Sequence, residues 1–189
     1  GKKSDPLPGA RHVDNPEPRR HIASVWGVPE ESIPRRGLSA VEIVEAIHDG
    51  RIRGLLSISF NPLVSLPDQK FVREAMEKLE FFATVDFFLS ETARHADVVL
   101  VGSLMEEDEG TTTSVEGRVI LHRKVIDPPP GSREDWRIFL DLAERLGAGD
   151  RFRYGSPREI FEELRAASRG GVSDYYGITW DRIEKEHGV

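Results

Sequence analysis

Asn61, Asp86 and Ser103 each stand where a short apolar run of the chain gives out. A carboxamide, a carboxylate and a hydroxyl so placed can hydrogen-bond a nucleotide, because open α/β sheets bind ligands outside the carboxyl ends of their strands. The first run, residues 54–59, breaks at Phe60-Asn61-Pro62, where proline fixes its own φ and restricts the residue before it. The second, 81–85, halts at Asp86, and the third, 97–101, halts at Gly102 and Ser103. Each residue also has a plain structural use: Asn before proline favours a turn, and a lone Asp at a strand end often caps one.

Other chemistries are poorly served. No GxGxxG and no GxxxxGK[ST] occurs, which disfavours a glycine-cradled NAD or P-loop nucleotide. The six histidines, at 12, 21, 48, 95, 122 and 187, have no HExxH or paired spacing. Ser24, Ser57 and Ser59 lack a GxSxG frame. The acidic loop Glu106, Glu107, Asp108, Glu109 lacks the alternating oxygen spacing of a calcium loop and reads as a solvated segment. We therefore expect no catalytic and no metal-ligating residue in this stretch of chain. Cysteine is absent, which removes disulfides, thiolate nucleophiles and iron–sulfur ligation by this segment.

The elements that must position the polar groups follow from periodicity. Between the three runs lie segments of helical spacing, so strand, helix, strand, helix, strand predicts an α/β fold with an open, mostly parallel Rossmann-like sheet flanked by helices. Ser39 and Glu42 form a capping box before the apolar stripe of Val41, Ile43, Val44 and Ile47, with Asp49 and Gly50 as the stop. Asp68 is placed to cap a helix carrying Phe71, Val72, Ala75, Met76 and Leu79. A short helix is expected over 90–95 and a small β-hairpin insertion over 111–125, turning at Glu116-Gly117. Ser132 is expected to cap a helix over 132–146, and Ser156 and Thr179 to open two more. These readings divide the chain into an extended, proline-rich arm (1–18), an α/β domain (19–150), which the resemblance described below implies is dinucleotide-holding, and a helical extension of that domain (151–189). The tail beyond Gly170 is expected to be loosely held.

Bulk properties limit the partners. In 189 residues with 38% hydrophobic and 31% charged side chains, no window approaches the run of about 20 apolar residues that spans a bilayer. A net charge of -7 argues against a phosphate-backbone partner. We expect neither a nucleic-acid nor a membrane partner. The first residues lack a starting Met and an apolar leader, so the chain reads as a piece of a larger protein, with a cytoplasmic location as the expectation.

Wording and order then point to a family. NPLVSLP from Asn61, VDFFLSETARHADVVL from Val85, EDEGT from Glu107, EGR from Glu116, PPPGSREDW from Pro128 and LAERLG from Leu142 together resemble the molybdopterin-guanine-dinucleotide oxidoreductases. LPGARHVDNPEPR from Leu7, VWGVP from Val25 and GLSAVEIVEAIHDG from Gly37 are similar to the lead-in of the nitrate reductase and formate dehydrogenase branch, and GITWDRIE from Gly177 extends the match. The resemblance implies one of the α/β domains that hold molybdopterin guanine dinucleotide around molybdenum or tungsten in a catalytic subunit. It places iron–sulfur clusters and the metal's protein ligand in other parts of that subunit, whose remaining domains are the implied partners. Carried over residue by residue, it assigns cofactor contacts to Asn61, to Val85 and Asp86 at the second strand's end, and to Asp135 before Trp136. An aspartate there can accept the guanine N1 and N2 hydrogens together, which selects guanine over adenine. Three departures stand out: Asp108 where many relatives carry lysine, Val101-Gly102 for Pro-Ala, and Ser114 for Asn in the hairpin. They leave room for a rival, a free-standing α/β binding or interaction module without redox activity. A receiver-like signalling domain with Asp86 as phosphoryl acceptor is a weaker rival, since the hairpin and the missing acidic cluster oppose it.

Overall fold

A computed structural model describes residues 6–189. Along the chain run β1 (Pro6–Leu7), β2 (Arg11–His12), α1 (Pro16–Trp26), α2 (Ala40–His48), β3 (Gly54–Ile58), α3 (Pro62–Ser65), α4 (Gln69–Lys78), β4 (Phe81–Asp86), β5 (Val98–Val101), β6 (Gly110–Thr113), β7 (Val119–His122), α5 (Asp135–Arg145), α6 (Pro157–Ser168) and α7 (Trp180–Glu186). They form two compact units. One comprises residues 38–108 and 124–153, the other the residues up to 37, 109–123 and 154–189.

In the first unit β3, β4 and β5 form a parallel sheet in that order, with Leu56 level with Ala83 and Val85 level with Leu100. The expected α/β class and parallel sheet are therefore present. α2 starts where the capping box requires: Glu42 N–H donates to Ser39 Oγ at 3.3 Å, and Ser39 N–H to the Glu42 carboxylate at 2.6 Å. Asp68 caps α4 from a left-handed backbone, accepting the Phe71 N–H at 3.2 Å. The apolar stripes of both helices meet over one face of the sheet, burying Val44, Ile47, Val72, Ala75 and Met76 with Leu63 and Phe82. Removing the cap tests this chain of cause: Ser39→Ala should cost about 0.5–2 kcal/mol in a urea melt, since the box satisfies backbone donors that the helix cannot.

Two local expectations need correction. Only a 3₁₀ turn, Ala93–His95, forms where a helix over 90–95 was expected. Ser90 Oγ donates to Asp86 and accepts the Ala93 N–H as a helix cap would, but the backbone turns extended at Ala96 and a single turn is all that forms. Ser132 does not cap α5, which begins at Asp135. Its hydroxyl donates to the Gly102 carbonyl at 2.6 Å, a long-range bond that fastens the stiff Pro128–Pro130 connector to the end of β5.

In the second unit α1 begins at Pro16, where proline at the first helical positions gives up no bonded N–H. Gly27, at φ +63°, closes it in the left-handed region. β6 and β7 pair antiparallel, with Thr113 level with Val119 across the 114–118 turn. The tail is not loose. Trp180 and Ile183 of α7 pack with Val119 and Phe161 in a buried cluster, and Val189 exchanges both backbone hydrogen bonds with Val119 at 2.8 and 3.0 Å. The weak periodicity near the end of the chain concealed this, because only two apolar residues of α7 face inward.

Candidate functional site

Every residue of the candidate site lies in the first unit, at the carboxyl ends of its three strands. Past β3 the chain turns at Ser59, which takes φ +47°, an uncommon value for a residue with a side chain. Ser59 N–H donates to the Val85 carbonyl at 2.9 Å, so the turn is held against β4. Asn61 follows, and its Oδ1 accepts from the Thr92 hydroxyl at 2.5 Å. Thr92, fully buried, in turn accepts the Leu63 N–H at 3.2 Å. The Asn61 carboxamide is thereby fixed by its oxygen, and its NH₂ group is the donor left to serve a ligand.

Asp86 ends β4. Its two oxygens accept from Phe88 N–H at 3.2 Å and Ser90 Oγ at 2.8 Å. This is the turn-building use that a lone Asp commonly serves, and it organises the loop Phe87-Phe88-Leu89. Each oxygen keeps further lone-pair capacity.

Asp135 opens α5 beside the end of β5. Its Oδ1 accepts from Ser103 N–H at 3.4 Å, and the nearby Ser59 hydroxyl favours the ionised form of the same carboxylate. Burial pushes its carboxyl above the ordinary aspartate range, with the Ser103 N–H and Ser59 hydroxyl pulling partly back. Gly102 explains the close approach: a Cβ there would sit 2.3 Å from Asp135 Oδ1 and 3.4 Å from Val85 Cγ1. Val85, Gly102 and Asp135 therefore meet at one point, with Ser59 and Ser103 around the carboxylate. Asp108, the departure from the resembled pattern, accepts the Ser103 hydroxyl at 3.0 Å.

Four residues of this arrangement escaped sequence reasoning as site members. Ser59 carried no signal, since its place depends on an unusual φ, and Gly102, although it marked a strand end, gave no sign of the neighbour 33 residues away that requires it. Ser90 and Thr92 had a signal: both are short hydroxyl residues in the loop after a strand, where such side chains bond nearby backbone and polar groups. Among the described residues no group of three or more His, Asp or Glu is placed to hold a metal ion, and no helix is long and apolar enough to cross a membrane.

A parallel α/β module with donors and acceptors gathered at its strand ends belongs to the class of ligand-carrying open sheets. Its sequence is more specific. The profile of the molybdopterin oxidoreductases, described as "Molybdopterin oxidoreductase", matches residues 28–145, more than half of the chain, and the chain belongs to that family. It is 50% identical, over its whole length, to the assimilatory nitrate reductase catalytic subunit of Bacillus subtilis, of which it covers 27%. It is 41% identical over 80% of its length to the F420-dependent formate dehydrogenase subunit alpha of Methanocaldococcus jannaschii, covering 22% of that protein. The acetylene hydratase of Pelobacter acetylenicus shares the fold, with a TM-score of 0.65 at 16% identity over 91% of this chain and 24% of that one. The chain thus spans about a quarter of the length of the relatives it matches.

Proposed function

We propose that this chain holds the guanine end of a molybdopterin guanine dinucleotide in the catalytic subunit of a molybdenum or tungsten oxidoreductase of the nitrate reductase or formate dehydrogenase type. The holding surface is the strand-end rim of the unit built from residues 38–108 and 124–153. One observation carries the reading: a carboxylate, Asp135, is kept partly out of water at the sheet's carboxyl edge and oriented by the Ser103 N–H, with the Ser59 hydroxyl nearby. Guanine offers two adjacent ring-edge hydrogens, and an oriented, desolvated carboxylate is the acceptor that suits them. Val85, whose side chain is buried, backs the rim from within behind Gly102, and Asn61 and Asp86 supply further polar contacts along it. The dinucleotide brings the redox-active metal. This chain's residues bind, orient and exclude water, and catalysis by them is not part of the proposal. The remaining domains of the subunit complete the cradle, with an iron–sulfur cluster among them, in a cytoplasmic protein. Two of the closer relatives are named a nitrate reductase and a formate dehydrogenase, which supports the type.

A second reading, an α/β interaction module without redox activity, is favoured by the engagement of both Asp86 oxygens within their own loop. Guanine nucleotide released from the complete subunit, compared between wild type and Asp135→Asn, separates the two. Loss of nucleotide in the variant supports the holder, and equal nucleotide in both supports the module.

The raised carboxyl of Asp135 sets the pH behaviour. Its folded-state value lies above its unfolded one, so its contribution to stability is greatest below the unfolded value and is lost as pH rises through the folded value. The ionised form that accepts guanine hydrogens is therefore held at a cost. Cofactor retention should begin to fall on acidification at a higher pH than an ordinary aspartate would give. Asp135→Asn should abolish that step while modestly stabilising the cofactor-free protein at neutral pH. Retention measured across pH by pterin fluorescence checks the sign.

A further inference from the structure

Four described residues other than glycine take a left-handed backbone: Ala10, Ser59, Asp68 and His187. That conformation crowds a Cβ and suits glycine. At Asp68 the side chain accounts for the choice, because its carboxylate caps α4. At Ser59 other groups hold the turn. Ser57 Oγ donates to the Phe60 carbonyl at 2.9 Å, Ser59 N–H to the Val85 carbonyl at 2.9 Å, and the Val64 and Ser65 N–H groups to the Asn61 carbonyl at 3.1 and 2.9 Å. None of these bonds uses the Ser59 side chain, so all of them would survive with glycine at 59. An over-determined turn therefore keeps a serine where glycine would sit without strain, and strain so retained points to a use for the side chain.

The surroundings of Ser59 show what that use is. Its backbone is fastened to Val85, and the point above Gly102 that lies 2.3 Å from Asp135 Oδ1 lies only 3.4 Å from Val85 Cγ1. The strand ends thus bring Ser59 to the Asp135 carboxylate, whose ionised form its hydroxyl favours. Gly102 is the opposite case: there the absence of a side chain makes room for the same carboxylate. We propose that Ser59 is a positioning residue for Asp135, and that its hydroxyl is what keeps a side chain on a backbone suited to glycine. For its functional half the proposal rests on the reading that Asp135 accepts guanine hydrogens. Ser59 then acts through Asp135, steadying the charged acceptor while the carboxylate's other lone pairs remain for the base.

Ser59→Gly and Ser59→Ala in the complete subunit test it, because both remove the hydroxyl and only glycine relieves the backbone. Urea melts of cofactor-free protein across pH, with and without Asp135→Asn in each background, isolate the ionisation of Asp135. The loss of stability that this ionisation brings as pH rises should extend to higher pH in both Ser59 variants and to the same extent, although the glycine variant melts above the alanine variant. Pterin and guanine nucleotide retained at limiting cofactor should fall about twofold to tenfold in both, the effect of one net hydrogen bond. An Asp135 step unmoved in both variants would overturn the proposal. So would a step moved by alanine alone, because backbone strain and not the hydroxyl would then set it. A step moved in both variants, in a subunit whose Asp135→Ala form keeps its full nucleotide, would uphold the positioning role and remove the guanine reading instead.

Discussion

Asp135→Ala in the complete subunit is expected to lower the retained pterin dinucleotide by about tenfold to a hundredfold at limiting cofactor, since hydrogen bonds to a charged group contribute about 1.5–3 kcal/mol. The loss has a geometric cause. Ser103 N–H holds the carboxylate at the meeting point of Val85 and Gly102, beside the Ser59 hydroxyl, where its desolvation is already met by the fold. A preorganised acceptor binds more tightly than a mobile one, because little freedom is lost when the ligand arrives. Alanine removes the acceptor altogether. Asparagine keeps the shape but turns an NH₂ toward a guanine hydrogen, so it should lose nearly as much. Pterin and guanine nucleotide counted per subunit, in protein of unchanged melting temperature, provide the measurement. Full occupancy in both variants would remove Asp135 from the site.

Arg19→Met should be the most damaging single change outside the site, costing about 3–5 kcal/mol, a large part of the 5–15 kcal/mol that holds a typical domain together. The Arg19 side chain is almost wholly buried. One terminal nitrogen donates to the carbonyls of Val13 and Pro34 at 3.1 and 3.0 Å, the other to those of Glu30 and Ile33 at 2.9 and 2.5 Å. Its Nε lies 3.7 Å from the Glu30 carboxylate. One guanidinium thus gathers the loop after α1 onto the start of that helix. Methionine fills the volume and strands the Val13, Ile33 and Pro34 carbonyls without a donor, each a desolvation penalty, while the Glu30 carbonyl keeps the Ile33 N–H. Lysine keeps the charge but lacks the planar fork, so Arg19→Lys should recover less than half of the loss. Denaturant midpoints for the two variants check this, and a cost below about 1 kcal/mol for Arg19→Met would show that water replaces the side chain.

Much of the fold was legible because its signals are local. Asp86 and Gly102 each stop a strand within a residue of where it ends, Pro62 marks the end of β3 four residues on, and the Ser39–Glu42 box fixes α2 by contacts three residues apart. Features that depend on distant neighbours were not legible. Ser132 looks like a helix cap in sequence, yet it bonds a carbonyl 30 residues away. Arg19 looks like a surface residue of an amphipathic helix, and its burial is visible only once the loop through Pro34 folds over it. The same division holds at the site. Asn61 and Asp86 could be suspected from strand-end position, and Asp135 entered through the family's wording. Their supports at Ser59, Thr92 and Gly102 depend on how separate strand ends converge.

The central claim is that guanine is held at these strand ends. It is tested most directly by an experimental structure of the complete subunit loaded with its cofactor. The ring edge of one guanine should lie within hydrogen-bonding distance of the Asp135 carboxylate, about 2.7–3.2 Å, with Asn61 and Asp86 on the same rim. A guanine held by another part of the subunit, with Asp135 still facing only Ser59 and Ser103, would contradict it.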